Sequence, residues 1–327
     1  MDIIYINDDY FFVQLAVSIY SLFQSNPDIQ WTVHFIDTGM SAEHLEYIKG
    51  LCDRYNHKII VYDSNVIVGK INDMGITVPT DGNNISTLIR LFMYEIIPDD
   101  IDKAIYLDTD TLVTGSFNEL KNLDFAECIS AVKDANYDFY INRLKSIGVS
   151  TYFNAGFMFI NLKKMRAKLH NVDMFNFISN NYLFADQDIL NIIFCDDIRV
   201  LPPKYNSTSR YRVVRPNNIC KWIGSDAEIY SIEDLREAKN NPVVIHFTTS
   251  LLGRGWEVNS CDPEQKLWMD VFEKLNLSRE LLVKRRLSTT TKVGRFLYRT
   301  IPQVFFVRID YVYALKKYEK INTLKEG

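Results

Sequence analysis

The sequence predicts an α/β protein in which helices pack on the faces of a central sheet, followed by a basic helical segment at the C-terminus. Strand-like and helix-like patterns alternate from the first residues onward, which is typical of a sheet assembled from β-α-β units. An apolar run, Ala104 to Leu107, ends abruptly in Asp108 and Asp110, the pattern of a buried strand that leaves the sheet. The chain turns basic near its end, since residues 279–327 contain 12 Lys and Arg against 4 Asp and Glu.

The first 63 residues predict three strands separated by two helices. The strands are DIIYI (Asp2 to Ile6), WTVHFID (Trp31 to Asp37) and KIIVYD (Lys58 to Asp63). The first helix runs from about Tyr10 to Gln24 and has Asn7, Asp8 or Asp9 as its N-cap. The second helix begins after Ser41. This β-α-β-α-β order is half of a nucleotide-binding fold, although no glycine-rich phosphate motif follows the first strand.

Composition predicts an ordinary globular protein, with 47% hydrophobic and 24% charged residues over a length of 327. The five cysteines form no C-x-x-C pair, which argues against a disulfide framework and a zinc site and favours a reducing compartment. The N-terminal MDIIYINDDY lacks the basic segment of a signal peptide, and no run of about 18 apolar residues predicts a membrane span. Residues 1–278 carry a net charge of −12 and the basic residues are concentrated in the tail, so a nucleic-acid partner is not expected.

Asp108 and Asp110 are candidate metal ligands because they directly follow a predicted strand. Ligands of open α/β sheets collect just outside the carboxyl ends of the strands. If the backbone stays extended, side chains two residues apart point to the same side, so both carboxylates face one ligand. Two hard oxygen donors suit Mg²⁺ or Mn²⁺. Asp-X-Asp also occurs at Asp100 and Asp102, so the position after a strand, rather than the tripeptide, distinguishes the pair.

The middle of the chain adds two candidates, Arg90 and Asn154. A turn-rich stretch, Ile71 to Asn84, predicts a loop, and Arg90 is a charge among apolar residues in the predicted helix that follows, Ser86 to Ile97. A surface position and a contact with a bound ligand are both compatible with Arg90. The predicted strand Tyr152 to Leu162 is interrupted by Asn154 and two small residues, which indicates a bulge or a close approach of the backbone to a ligand.

Two later segments add acids and a histidine. The predicted helix Phe184 to Phe194 opens with Asp186 and Asp188, acids that the helix dipole alone would favour at an N-terminus. A further strand ends at His246, much as the earlier one ends at Asp108. A histidine is more often structural than metal-binding, yet this one could add a nitrogen ligand to the two earlier aspartates.

Taken in order, these motifs resemble glycosyltransferase family 8, the retaining enzymes that include bacterial lipopolysaccharide galactosyl- and glucosyltransferases and glycogenin. The resemblance covers most of residues 1–256, in the segments IIYINDDY, IRL around Arg90, YLDTDTLV, YFNAGFMFINL, DQDILN, LPPKYN (Leu201 to Asn206) and the strand ending in His246. It implies a single Rossmann-like nucleotide-sugar-binding domain, a mixed central sheet with helices on both faces. The change in composition near Asn276 places this domain at residues 1–277 and the basic tail at residues 278–327.

The resemblance implies an enzyme that moves a hexose from UDP-glucose or UDP-galactose to a saccharide acceptor. Mn²⁺ (or Mg²⁺) would bridge the diphosphate and would be bound by Asp108, Asp110 and His246. The other positions that match the family's motifs are the donor-binding candidates Asn7, Asp8, Tyr10, Arg90 and Asn154 and the catalytic candidates Asp186 and Gln187. Tyr10 would stack on uracil.

The C-terminal motif departs from the family pattern, in which the histidine is followed by Gly and then by Lys-Pro-Trp. Here HFTTSLLGRGW has Arg254-Gly255-Trp256 in that place and two extra residues before it. Arg254 is a further donor-binding candidate, because its forked guanidinium suits phosphate oxygens.

The basic tail mixes Lys and Arg with Phe, Leu, Ile and Tyr, the composition of an amphipathic segment at a membrane surface. This composition predicts docking on anionic lipid, where a lipid-linked or cell-surface acceptor would be. The enzyme would then be cytoplasmic and peripheral on the inner face of the cell membrane. The alternative is a helical appendage with a solvated basic face. Pro302 would end or kink any long helix in the tail.

Two other functions are compatible with part of the sequence. A haloacid-dehalogenase-type phosphatase also carries Asp-x-Asp-x-Thr after an apolar strand and would use Asp108 as a nucleophile. Its motif usually lies on an early strand, however, and the FNAG and DQD motifs and His246 would then have no purpose. The second alternative is a nucleotide-sugar-binding protein without turnover, since binding and catalytic residues overlap.

Overall fold

The computed structural model describes residues 1–76, 82–179, 185–225, 229–248 and 251–326. Within these residues ten strands form two sheets: β1 Asp2–Asn7, β2 Thr32–Asp37, β3 Lys58–Asp63, β4 Lys103–Leu107, β5 Thr111–Val113, β6 Ile129–Lys133, β7 Phe153–Asn161, β8 Ile198–Val200, β9 Ser207–Thr208 and β10 Val244–His246. The helices are α1 Phe12–Ser25, α2 Ala42–Arg54, α3 Asn65–Asp73, α4 Gly82–Arg90, α5 Met93–Ile96, α6 Asn118–Lys121, α7 Asp138–Lys145, α8 Leu162–Leu169, α9 Met174–Ser179, α10 Ala185–Phe194, α11 Ser209–Val213, α12 Ile219–Ile223, α13 Ile232–Asn240, α14 Gln265–Lys274, α15 Thr289–Thr300 and α16 Gln303–Glu326.

The main sheet has seven strands in the order β3-β2-β1-β4-β7-β6-β8. Strands β1 to β4 run parallel, whereas β7 is antiparallel to both β4 and β6. The sheet is therefore mixed, and the prediction of an α/β fold is confirmed. The first three strands lie within one residue of their predicted bounds, because each is a compact apolar run flanked by polar residues.

Alternate residues of β1 enter two separate cores, one on each face of the main sheet. Ile3 and Tyr5 pack with apolar residues of α1, α2 and α14, whereas Ile4 and Ile6 pack with those of α3, α4, α8 and α10. All four side chains are buried. This alternation follows from the two-residue period of a strand and places helices on both faces, as predicted.

The small sheet has the order β5-β10-β9. β10 is antiparallel to β5, with His246 opposite Thr111, and parallel to β9, with His246 opposite Thr208. The sequence does not predict β5 and β9, because strands of three and two residues are too short to show a period. Since β5 begins one residue after Asp110, this pairing carries His246 to the end of β4.

The single helix predicted from Ser86 to Ile97 is wrong, because the structure has two helices in this stretch. α4 ends at Arg90 and α5 begins at Met93. Leu91, Phe92 and Met93 are all at most 1% exposed. Three consecutive residues of one straight helix point in different directions, so the break allows all three to enter the same core.

The predicted loop from Ile71 to Asn84 is shorter in the structure. Its first part belongs to α3, which ends at Asp73, and its last part belongs to α4, which begins at Gly82. Residues 77–81 lie outside the described residues.

The C-terminal helices α15 and α16 are separated at Pro302, as the sequence predicts, and pack on the rest of the protein. Phe306 of α16 is buried in the core that lies on the α1 face of the main sheet. Asp310 accepts hydrogen bonds of 2.7 Å from the Tyr137 hydroxyl and from the Trp222 indole N–H. Within the part of the chain that the structure describes, every helix is too short or too polar to cross a membrane.

Candidate functional site

Asp108, Asp110 and His246 converge beside the carboxyl end of β4. One oxygen of each carboxylate and one imidazole nitrogen lie within 4.8 Å of one another. His246 Nε2 is 2.9 Å from Asp110 Oδ1 and 3.7 Å from Asp108 Oδ2. The condition of an extended backbone is not met, because β4 ends at Leu107 and the two aspartates lie in the turn that follows. The carboxylates nevertheless meet the imidazole, since this turn leads directly into β5, the antiparallel partner of β10.

Gly156 provides the space that the cluster occupies. The Asp108 N–H donates to the Gly156 carbonyl at 2.8 Å. A Cβ atom at position 156 would lie 2.2 Å from His246 Cε1 and 2.8 Å from Asp108 Oδ2, so any side chain there would displace the cluster. The register of β7 against β6 also shifts in this region. The irregularity that the sequence predicts beside Asn154 is therefore confirmed.

The chemistry of the three side chains fits a divalent cation. Two carboxylates and one imidazole form a mixed oxygen and nitrogen set, which transition metals such as Mn²⁺ accept more readily than Mg²⁺ does. Burial by itself would lower the pKa of His246, but the Asp110 and Asp108 carboxylates outweigh it and raise that pKa. Burial would raise the pKa of Asp110, but His246 outweighs it and lowers that pKa. The imidazole thus lies against both carboxylates, where a cation would bind.

Arg90 connects this cluster to the start of α10. Its Nη2 donates to Asp108 Oδ1 at 2.5 Å, and its Nη1 lies 2.8 Å from Asp186 Oδ2. The side chain is 11% exposed and its guanidinium lies 4.6 Å from the centroid of the Tyr106 ring, so the surface position considered for Arg90 is wrong. Burial raises the pKa of Asp186 to about 6, although Arg90 acts in the opposite direction.

Gln187 is held by three partners. Its Oε1 accepts from the Ala155 N–H at 3.1 Å, and its Nε2 donates to Asp134 Oδ2 and to the Tyr152 hydroxyl, both at 2.9 Å. Tyr152 in turn donates to Asp188 Oδ1 at 2.6 Å. Asp188 is fully buried, so it does more than favour the dipole of α10. The orientation of the Gln187 amide is therefore fixed on both sides.

Asn154 and Asn206 form a hydrogen-bonded path to His246. The Gly156 N–H donates to Asn154 Oδ1 at 3.0 Å, and Asn206 Nδ2 is 2.8 Å from the same oxygen. Asn206 Oδ1 lies 2.9 Å from His246 Nδ1. Asn154 and Asn206 are both buried.

The donor-binding candidates of the N-terminal segment lie beside the aspartate turn. The parallel pairing of β1 with β4 puts the two strand ends side by side, and Asn7 ends β1. Asn7 and Asp8 are buried, and the Asp8 carboxylate accepts from the Tyr10 N–H at 3.1 Å. Tyr10 itself is 71% exposed, so its ring is accessible to a planar ligand.

Arg254 is within electrostatic reach of the cluster. Burial and His246 are the main influences on the pKa of Asp110, and the charge of Arg254 adds to its lowering. The guanidinium carbon of Arg254 lies 5.4 Å from the centroid of a Trp256 ring, which orients the side chain. The candidate residues other than Arg90 and Arg254 lie near the ends of β1, β4, β7 and β10 or at the start of α10, and Arg90 contacts two of them.

The sequence reasoning missed Asp134, Tyr152 and Asn206. Asp134 follows β6 directly, as Asp108 follows β4, so the same strand-end signal could have found it. Asn206 closes the LPPKYN segment, which belongs to the family resemblance. Tyr152 shows no such signal, because tyrosine is common in strands and its partner Asp188 is 36 residues away.

Both oxygens of Asp108 are engaged. Oδ1 accepts from Arg90 and, at 2.7 Å, from the Tyr106 hydroxyl, while Oδ2 faces His246. A carboxylate nucleophile needs an oxygen free to reach the substrate. The phosphatase alternative is therefore not favoured by this geometry.

Comparison with known proteins agrees with these features. Residues 2–251 match the sequence profile of glycosyl transferase family 8. A putative glycosyltransferase of Haemophilus influenzae is 30% identical over 232 residues, which cover 67% of this chain and 68% of that protein. The lipopolysaccharide 1,2-glucosyltransferase of Escherichia coli is 29% identical over 210 residues, 61% of this chain and 60% of that enzyme. The lipopolysaccharide 1,3-galactosyltransferase of Salmonella typhimurium is 28% identical, with 61% of each chain covered.

The fold also occurs in a solved structure. The crystal structure of galactosyltransferase LgtC in complex with donor and acceptor sugar analogs has a TM-score of 0.68 to this chain at 24% identity. The likeness covers 86% of this chain and 100% of that one. The chain matches less than two thirds of the length of the two lipopolysaccharide enzymes, whereas the family profile spans all the described strands of the main and small sheets. The chain belongs to glycosyl transferase family 8.

Proposed function

We propose that this protein is a retaining hexosyltransferase that moves glucose or galactose from UDP-glucose or UDP-galactose to a saccharide acceptor. The observation that carries the proposal is the convergence of Asp108, Asp110 and His246 at the strand ends of a family 8 chain. Two relatives are named as a lipopolysaccharide glucosyltransferase and a lipopolysaccharide galactosyltransferase. Their names support a hexose donor and a lipid-linked or cell-surface saccharide as the acceptor.

The proposed reaction breaks the bond between the anomeric carbon and UDP, which leaves additional negative charge on the diphosphate. Mn²⁺ (or Mg²⁺) held by Asp108, Asp110 and His246 would supply a Lewis acid for that charge. Arg254 would donate to phosphate oxygens. Arg90 neutralises part of the charge of the carboxylates on either side of it, which reduces their repulsion of an anionic donor.

Retention of configuration needs either a carboxylate nucleophile or attack from the face that UDP leaves. We place Asp186 and Gln187 near the reacting carbon. The ion pair with Arg90 makes Asp186 a poorer nucleophile than a free carboxylate. The NH₂ group of Gln187 is already held by Asp134 and Tyr152. These contacts favour an orienting role for both residues and therefore same-face attack by the acceptor.

The direct test is release of UDP from UDP-glucose and from UDP-galactose with Mn²⁺, with Mg²⁺ or with EDTA. We expect slow release without an acceptor from at least one donor, and loss of release in EDTA. A phosphomonoester should give no phosphate. Binding of UDP-sugars without any turnover would instead support the non-catalytic alternative, and phosphate release would support the phosphatase.

The Asp110→Asn variant tests the metal-binding part of the proposal. A ligand at about 100 times its dissociation constant should add about 2.7 kcal/mol of stability to the protein that binds it. We expect Asp110→Asn to remain folded and to lose the Mn²⁺-dependent part of the thermal shift that UDP produces. Asp102→Asn, in the exposed Asp-X-Asp pair, is the matched control and should behave as wild type. A Mn²⁺-dependent shift that survives in Asp110→Asn contradicts the assigned ligand.

We propose further that residues 1–277 form the catalytic domain and that residues 278–327 dock it on an anionic membrane surface. α16 exposes an apolar stripe on the side away from the buried Phe306, together with basic residues. The stripe consists of Phe305, Ile309, Val312 and Tyr313, and the exposed basic residues are Arg308, Lys316, Lys317 and Lys320. This arrangement supports insertion among anionic headgroups and a cytoplasmic enzyme on the inner face of the membrane.

Vesicle flotation tests this docking with the full-length chain. We expect binding to vesicles that contain phosphatidylglycerol, weaker binding at high salt, and little binding to phosphatidylcholine alone. The double variant Phe305→Ser with Ile309→Ser should lose binding, whereas Val66→Ser, an exposed apolar residue of α3, should not. Equal flotation of the wild type and the double variant would leave the solvated appendage as the better interpretation.

A further inference from the structure

We propose that Asn206 is a positioning residue for the metal site, whose side-chain amide turns His246 Nε2 toward the two carboxylates. This proposal rests on the metal site of the proposed function and assigns no contact between Asn206 and the donor. The orientation is set by a chain of hydrogen bonds that begins at the main-chain N–H of Gly156.

The first link determines the orientation of Asn154. The Gly156 N–H is 3.0 Å from the Asn154 side-chain oxygen. A main-chain N–H is only a donor, so Asn154 must present its oxygen and not its NH₂ group to Gly156. The same oxygen lies 2.8 Å from the amide of Asn206. Asn206 must therefore turn its NH₂ group toward Asn154.

The second link determines the orientation of the imidazole. With its NH₂ group toward Asn154, Asn206 presents its oxygen to His246 Nδ1 at 2.9 Å. A carbonyl oxygen only accepts, so Nδ1 must carry a hydrogen. Nε2 is then the nitrogen that faces Asp110 at 2.9 Å and Asp108 at 3.7 Å. The ring orientation therefore follows from β7 and not from the aspartates alone.

The position of Asn206 in the fold makes this contact rigid. Asn206 is fully buried at the end of a 3-10 turn, directly before β9. β9 pairs in parallel with β10, so the backbone of Asn206 is tied to that of His246. Because His246 is also buried, water has little access to replace a lost partner at Nδ1. Partners on the far nitrogen of a metal-binding histidine typically contribute about 10- to 100-fold to metal affinity.

The experiment titrates the full-length protein with Mn²⁺ alone and measures the concentration of the free ion by electron paramagnetic resonance. It requires no turnover. Asn206→Leu keeps the branched shape and the number of heavy atoms and removes both polar groups. We expect it to raise the Mn²⁺ dissociation constant by about 10- to 100-fold. Asn206→Asp keeps an acceptor for Nδ1–H but turns an oxygen instead of an NH₂ group toward Asn154 Oδ1, so its Mn²⁺ affinity should lie between those of Asn206→Leu and the wild type.

Ser207→Ala is the matched control for this comparison. It removes a buried 2.6 Å hydrogen bond to the Ala238 carbonyl at the neighbouring position, outside the chain that orients His246. We expect wild-type Mn²⁺ affinity. Thermal melts of all variants show that each is folded under the conditions of the titration.

The outcomes separate this proposal from the one on which it rests. A wild-type protein that binds no Mn²⁺, alone or with UDP, overturns the metal site itself. Mn²⁺ binding that is unchanged in Asn206→Leu overturns the positioning role alone. A second measurement needs no variant: the nitrogen chemical shifts of His246 in the Mg²⁺-bound protein should show hydrogen on Nδ1, and hydrogen on Nε2 contradicts the proposal.

Discussion

At the scale of single residues, Gly156 is the position where a small change should have a large effect. A Cβ atom there would lie 2.2 Å from His246 Cε1, and the opposing Asp108 is tied to the same glycine by its main chain. We expect Gly156→Ala to cost about 1–3 kcal/mol of unfolding free energy, because the cluster must shift, and to abolish Mn²⁺ binding. Urea denaturation and a Mn²⁺ titration measure the two effects.

Gly50→Ala is the control for this prediction. Gly50 lies on the exposed side of α2, and a Cβ atom there would meet nothing within 4 Å. Alanine is about 0.5–1 kcal/mol more favourable than glycine inside a helix, so this variant should be slightly more stable than wild type. Wild-type Mn²⁺ affinity in Gly156→Ala would show that the cluster does not need the space.

Asp186 should make the stability of the free protein depend on pH. Burial raises its pKa to about 6 from the usual 3.8. Between these two values the folded state therefore binds more protons than the unfolded state. The free energy of unfolding is highest at low pH and falls as the pH rises through 6. We expect Asp186→Asn to melt above wild type at pH 7.5, with a difference that shrinks toward about pH 5. A difference that is constant over this range contradicts the raised pKa.

The sequence identifies the candidate site residues that end strands. It does not identify the residues that contact those candidates from distant parts of the chain. Asp108 and His246 interrupt apolar runs, which is visible without a structure. Asn206 and Tyr152 matter because of partners far along the chain, 40 residues away for Asn206 and His246. No local sequence pattern indicates such a distant partner, so the contacts of Asn206 and Tyr152 are visible only in the three-dimensional structure.

At the scale of elements, a buried ion pair joins the small sheet to α14. Arg212 of α11 and Asp262, which precedes α14, are 1% and 0% exposed and lie 2.9 Å apart. Arg212 also donates to the Ser207 and His246 carbonyls. The pair therefore holds the backbone of the strand that carries the candidate metal ligand.

Removing one partner of this pair should be strongly destabilising. Asp262→Ala leaves the Arg212 charge buried without its carboxylate, and we expect a loss of about 3–5 kcal/mol in unfolding free energy. Arg236→Ala, in an exposed pair with Glu233 on α13, should cost less than about 1 kcal/mol. The urea midpoints of the two variants are compared with that of the wild type, provided that the slopes of the denaturation curves are unchanged. If both variants lost similarly small amounts of unfolding free energy, the structure around Arg212 would have relaxed to accommodate its unpaired charge.

Element prediction succeeded where a pattern was long and failed where it was short. β1 to β4 and β7 were found because each is at least five residues long and rich in apolar residues. β5 and β9 were missed, although their pairing with β10 assembles the site. The break after Arg90 was missed because burial of Leu91 to Met93 is a tertiary effect that overrides local helix pattern.

At the scale of the whole molecule, the tail is joined to the body by its own apolar residues. Phe306 is 3% exposed, whereas its neighbour Phe305 is 56% exposed. We expect Phe306→Ala to cost about 3–5 kcal/mol and Phe305→Ala to change the unfolding free energy by less than about 0.5 kcal/mol. Urea denaturation of the full-length chain measures both. If both substitutions changed the unfolding free energy by equal and small amounts, the packing of Phe306 against the rest of the protein would not contribute to stability.

The fold as a whole could be predicted from the order of its motifs, but the placement of the tail could not. Its composition shows basic and apolar residues without showing which of the apolar ones are buried. The contacts of Asp310 with Tyr137 and Trp222 join residues that are 173 and 88 positions apart. Such contacts depend on the finished tertiary structure, and for this reason point substitutions are better probes of the tail than its removal.

The antiparallel pairing of β5 with β10 has a consequence for biosynthesis. Asp110 and His246 are 136 residues apart, and the second of them reaches the site only when β10 joins the small sheet. Closing a loop of this length is slow and comes late in folding. A growing chain on the ribosome therefore has both aspartates long before it has the imidazole. The three candidate metal ligands can therefore come together only after nearly the whole family domain has been synthesised.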